Sequence, residues 1–149
     1  MKRSERLDVV QQAAARTERD RAERVGAAER HLAEMQQKLS ALEKYRAEYE
    51  AGFATKAGGG VDVIGMRDFH TFLARLGEAL TQQREIVAQA RNAVEAERAH
   101  WREAAQRQHV VETLAERWQG EETRAANRRD QNESDELSRQ LTASKERAK

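Results

Sequence analysis

Four histidines, 26 acidic side chains and a run of three glycines are the residues in this 149-residue sequence whose chemistry could build a site. Metal binding on a helix needs imidazoles three or four residues apart, so that both lie on one face. His31, His70, His100 and His109 lack that spacing, and the Asp and Glu residues are scattered among arginines. The absence of cysteine removes disulfides and thiolate ligands. Gly58-Gly59-Gly60 is not a phosphate loop, because no Gly-Lys-Ser/Thr ending follows it. It is expected to act as a helix-breaking turn. No catalytic, cofactor-binding or metal-binding residue is assigned, and the expectation is a protein that is not an enzyme and carries no cofactor.

The elements that would position any other kind of site are helices. Apolar residues make up 38 % of the sequence and charged residues 36 %, with a mean hydropathy of -0.97. That is too little apolar material for a thick core, but enough for a narrow seam between long helices. With no proline, 8 glycines and 5 % aromatics, helix-favouring residue types dominate and a β-rich fold is excluded. The 27 basic and 26 acidic side chains leave a net charge of +1, so no overall field draws the chain to nucleic acid or an anionic membrane. No run approaches the roughly 20 apolar residues of a membrane span, and the start resembles no signal peptide. A cysteine-free sequence of this kind suits the cytosol.

Before the glycine run, apolar residues alternate in steps of three and four: Val25, Ala28, Leu32, Met35, Leu39, Leu42, then Tyr49 and Phe53, with Arg46 in the one polar slot. This period of about 3.5 residues is that of a coiled-coil seam. Extended backwards it meets Leu7, Gln11, Ala14, Glu18 and Arg21, which predicts an N-terminal arm that is loosely paired or needs a partner. After the glycines the rhythm resumes from Phe69 through Leu73, Leu76, Leu80, Gln83, Val87, Ala90 and Val94, then Glu97, Trp101, Ala104, Gln108, Val111, Ala115 and Trp118. Polar seam residues such as Gln83, Glu97 and Gln108 lower stability and commonly fix register. The resulting fold is all-α, an elongated antiparallel two-helix coiled-coil hairpin forming a single domain. Its boundaries are helix 1 at about 4–54, a turn at about 55–66, helix 2 at about 67–130, and a polar tail at about 131–149 that is a fraying helix or disordered. Folding the chain at residue 61 sets Phe53 against Phe69, Leu42 against Leu80, Val25 against Glu97 and Leu7 against Ala115.

Apolar side chains also occur outside the seam. Phe72, Ala79 and Ile86 recur every seven residues beside Leu73, Leu80 and Val87, and Tyr45 lies beside Leu42 and Tyr49. A two-helix structure has one seam to bury, so Tyr45, Phe72 and Ile86 are expected to be partly exposed. Grouped exposed aromatics mark a partner surface, or else they wrap the seam edges or bury a self-association face.

Several stretches resemble the FliJ family of the bacterial flagellar type III export apparatus. They are Leu42-Glu43-Lys44-Tyr45-Arg46-Ala47-Glu48-Tyr49, Phe69-His70-Thr71-Phe72-Leu73-Ala74-Arg75-Leu76, Trp101-Arg102-Glu103, Glu112-Thr113-Leu114-Ala115-Glu116-Arg117 and Asn127-Arg128-Arg129-Asp130-Gln131 with Asp135-Glu136. The resemblance implies a non-enzymatic, stalk-like coiled coil that links the ring of the export ATPase FliI to the cytosolic domain of the export gate protein FlhA. It also implies escort of flagellar export chaperones and a cytoplasmic location peripheral to the inner membrane at the flagellar base. Leu42, Tyr45, Tyr49, Phe72, Leu76 and Ala79 match the family's gate-binding surface, while Lys38 and Gln83 stand where a Gln and a His occur in it. The competing reading is a generic self-associating coiled-coil scaffold.

Overall fold

The computed structural model describes residues 2–148. Two helices, α1 (Arg3–Ala57) and α2 (Val63–Arg147), account for nearly all of it. Packing groups them into two compact units, Arg19–Glu103 and Met1–Glu18 with Ala104–Lys149. Among the described residues no strand is present and no helix is long and apolar enough to cross a membrane.

In the unit spanning residues 19–103, α1 and α2 run antiparallel. Phe53 meets Phe69, the pairing that a fold at residue 61 predicts, while Met35 meets Gln83 and Glu29 meets Arg98, each displaced from that register by about one helical turn. Met35, Phe69, Leu76, Leu80, Gln83, Val87, Ala90 and Val94 are buried, and Leu80 is the most enclosed at 1 % exposure. Of the polar seam residues, Gln83 holds the helices in register: its Nε2 donates to the Met35 carbonyl at 3.0 Å. A buried amide left unsatisfied would be costly, so this bond disfavours sliding by a turn. Glu97 differs, since its Oε2 is buried with no hydrogen-bond partner. Trp101, a seam position in the sequence pattern, is 36 % exposed.

The break between the helices is tighter than the predicted 55–66 and occupies residues 58–62. Gly59 and Gly60 donate to the carbonyls of Lys56 and Ala57 at 3.0 and 3.1 Å, which winds up the end of α1. Gly60 then takes a φ of 94°, where a Cβ would crowd the backbone. Asp62 starts α2 by accepting the Gly65 N–H at its Oδ1, 2.7 Å away, a side-chain cap on an otherwise unpaired helix N–H. Gly52 and Gly65, at the flanks of the break in the sequence, both lie inside helices.

In the other unit the N-terminal arm is paired rather than loose. Leu7, Ala104, Ala115 and the side chain of Ser4 are buried. The Ser4 hydroxyl donates to Glu122 Oε2 at 2.5 Å, Arg3 pairs with Glu121 at 3.0 Å, and the Arg3 guanidinium sits 4.5 Å from the centre of the Trp118 ring. These polar contacts compensate for a seam poor in apolar residues. Gln108 bonds along its own helix to Glu112 instead of bridging to α1. Beyond residue 130, where the pattern predicts a fraying or disordered tail, α2 continues as helix to Arg147.

Two measurements follow from the turn and the N-terminal contacts. Gly60→Ala should lower unfolding free energy by about 1–2 kcal/mol. Gly52→Ala should raise it by up to about 1 kcal/mol, because a Cβ at position 52 meets nothing within 4 Å; denaturant titration would distinguish the opposite signs. The Ser4 hydrogen bond holds the Glu122 carboxyl below its ordinary pKa of 4.5. A carboxyl lowered on folding contributes stability above the unfolded pKa and loses it as pH falls through the folded one. Amide protection in the first turn of α1 should therefore decline under acid below about pH 4.5, and Ser4→Ala should flatten that component of the profile.

Candidate partner-binding surface

Three aromatic residues of α1 and two of α2 form a ladder across the seam near the turn. Phe53 stacks on Phe69 at 3.6 Å between ring centres, and Phe69 lies 5.4 Å from Tyr49. Tyr49 meets Phe72 at 4.3 Å, and Phe72 meets the edge of Tyr45 at 6.0 Å. The ladder arises because Tyr45, Tyr49 and Phe53 repeat every four residues on α1, while Phe69 and Phe72 stand three apart on the facing side of α2. Each pair of rings adds about 0.5–1.5 kcal/mol beyond the area it buries. The ladder is therefore part of the core at one end and part of the surface at the other.

The six expected contact residues do not share one degree of exposure. Tyr45 is 50 % exposed, while Leu42, Tyr49, Phe72 and Ala79 are half-buried. Leu76 is only 6 % exposed; it packs in the seam, as its three-four spacing with Leu73 and Leu80 dictates, and backs the surface instead of presenting atoms to it. Ile86, two heptads beyond Phe72, is 39 % exposed. Sequence spacing identifies this group and pairs Phe53 with Phe69 in the seam, but does not join that pair to the surface cluster; in the structure their stacking fixes the inner end of the ladder. The signal for the join is the four-residue step from Tyr45 through Tyr49 to Phe53 on α1 and the three-residue step from Phe69 to Phe72 on α2.

The surroundings of the ladder are polar but locally neutralised. Arg46 pairs with Glu50 at 3.1 Å and Lys44 approaches Glu48, both one turn apart on α1. Arg84 lies 3.9 Å from Glu43 across the seam. Further along the same unit, Arg98 bridges Glu29 and Glu95 at 3.0 Å each. Such exposed pairs contribute little to stability, and they leave the rings as the distinctive chemistry of the face. Among the described residues no group of three or more His, Asp or Glu side chains is arranged to hold a metal ion.

A family model described as flagellar FliJ protein matches residues 2–147. A flagellar FliJ protein of Salmonella typhi is 28 % identical over 126 residues, covering 85 % of this chain and 86 % of the relative. No solved structure matches the chain. Because the family model runs through both helices and the turn between them, the chain belongs to the flagellar FliJ family.

Proposed function

We propose that this chain, which as a member of the FliJ family is a component of flagellar protein export, acts there as a coupling protein without catalytic chemistry of its own, binding the cytosolic domain of the export gate protein FlhA through the ladder face. Its remaining surfaces engage the ring of the export ATPase FliI and export chaperones, at a cytoplasmic position peripheral to the inner membrane. The observation that supports this most is Tyr45: a large ring, half exposed, held edge-on by Phe72. A tyrosine fixed in this way loses little side-chain freedom on binding and offers both an apolar face and a hydroxyl. Leu42, Tyr49, Phe72 and Ala79 supply the apolar surface around it, with Leu76 behind them. The ring-binding region is assigned to about residues 4–24 and 105–130.

Tyr45 and Phe72 should behave differently when truncated. Tyr45→Ala removes an exposed ring and should weaken binding of the purified FlhA cytosolic domain by roughly 30-fold, the equivalent of about 2 kcal/mol. Its unfolding free energy should change by less than about 1 kcal/mol. Phe72→Ala removes contacts with both tyrosines and should reduce affinity and stability together. Calorimetric titration beside thermal melts would test this, and a Tyr45→Ala chain that is folded and binds normally would refute the assignment.

A further inference from the structure

The last part of α2 is a helix with no helix packed against it. The first residues of α1 already meet Glu121 and Glu122, and every residue from 127 to 142 is exposed. Its helical state is supported by contacts along its own length, from Gln131 to Asp135 at 3.3 Å and from Arg139 to Glu136 at 3.6 Å. Leu137 and Leu141 stand one turn apart on this bare helix, 60 % and 65 % exposed. An unpaired leucine step of this kind has the spacing of a short coiled-coil seam.

The charges around the two leucines are segregated. Residues 130–136 contain the acids Asp130, Glu133, Asp135 and Glu136 and no base, whereas residues 139–147 contain Arg139, Lys145 and Arg147 against the single acid Glu146. Neither Glu133 nor Arg147 makes an ion pair with another described residue. We propose that two copies of the chain associate through residues 130–148 as a short antiparallel coiled coil with twofold symmetry.

The register follows from the leucines. Setting Leu137 against Leu141 of the partner subunit brings Ser134 opposite the partner's Ser144 and Asp130 opposite the partner's Ala148, so no bulky side chain clashes across the seam. The flanking residues that precede Ser134, Leu141 and Ala148 are Glu133, Gln140 and Arg147. In an antiparallel pair the first of these meets the third of the other copy, which gives two Glu133–Arg147 bridges, and Gln140 lies at the twofold axis. One segment thus supplies both halves of every complementary contact, the property of an isologous interface. A partner of different sequence would have to reproduce both the leucine step and the reversed charge order. Four leucines and two exposed ion pairs form a small interface, so association belongs in a weak range of roughly 0.1–1 mM.

Sedimentation equilibrium of the full chain over about 0.02–2 mM tests the pairing, since this range brackets the expected dissociation constant. The mass should rise from one chain to two. Glu133→Arg alone and Arg147→Glu alone should each weaken the dimer by roughly tenfold, because each places like charges together at both bridges. An equimolar mixture of the two variants should recover association, since in the mixed pair both bridges again join opposite charges. Leu137→Ser with Leu141→Ser should abolish the dimer while circular dichroism still shows a largely helical chain. A single-chain mass throughout would overturn the proposal. So would a dimer indifferent to the charge reversals, or variants that fail to complement one another when mixed. None of these outcomes depends on the ladder face binding FlhA.

Discussion

Two packed helices have one seam between them, and this limit governs the structure of both units. Each helix can hide a single stripe of side chains. Met35 on α1 and Leu76, Leu80, Val87, Ala90 and Val94 on α2 form that stripe in the unit spanning residues 19–103. With so thin a core, individual polar contacts count for more than they would in a globular domain. The Gln83 amide on the Met35 carbonyl fixes register from inside the seam, and the Asp62 cap fixes where α2 begins. The Ser4–Glu122 bond attaches the N-terminal arm where apolar contacts are few. Anything large and apolar that misses the stripe must remain at the surface, as Tyr45 and Ile86 do.

The parts of this fold that depend on periodicity were legible in the sequence. The three-four alternation identified the seam positions on both helices, and counting outward from residue 61 placed Phe53 on Phe69. What periodicity does not contain is the partner at each level. Trp101 keeps the phase yet is 36 % exposed; the N-terminal arm has a weak phase yet is held by contacts between single polar side chains. The break at residues 58–62 is narrower than three glycines suggest, because Asp62, three residues before Gly65, is already a cap. Helix in the tail was obscured for a related reason. Lack of a core argues against packing, but Glu, Gln, Arg, Leu and Ala still favour helix along an unpacked stretch.

For the candidate surface, spacing found the cluster but not its gradient of burial. Six residues at matching positions looked equivalent, whereas the structure separates Leu76 in the seam from half-exposed Tyr45. The difference lies in angle around the helix. Leu76 points into the stripe shared with Leu73 and Leu80, while Phe72 and Ala79 stand at its edge. Only packing against α1, through Tyr45 and Tyr49, fixes how much of that edge remains open.

This gradient ties the exposed rim of the ladder to the packed seam. Phe72 contacts Tyr49 within the ladder and Tyr45 at its rim, so one ring serves the seam and the surface together. A partner resting on Tyr45 would meet a ring already oriented by the stack beneath it, and less of the binding free energy would be spent on ordering side chains. By the same linkage, occupancy of that face would stabilise the seam near the turn, because a partner that binds only the assembled ladder favours the state in which the ladder is assembled. The rings of Tyr45, Tyr49, Phe53, Phe69 and Phe72 thus lie near the point where the hairpin closes, stacked on one another at the inner end and open to solvent at Tyr45.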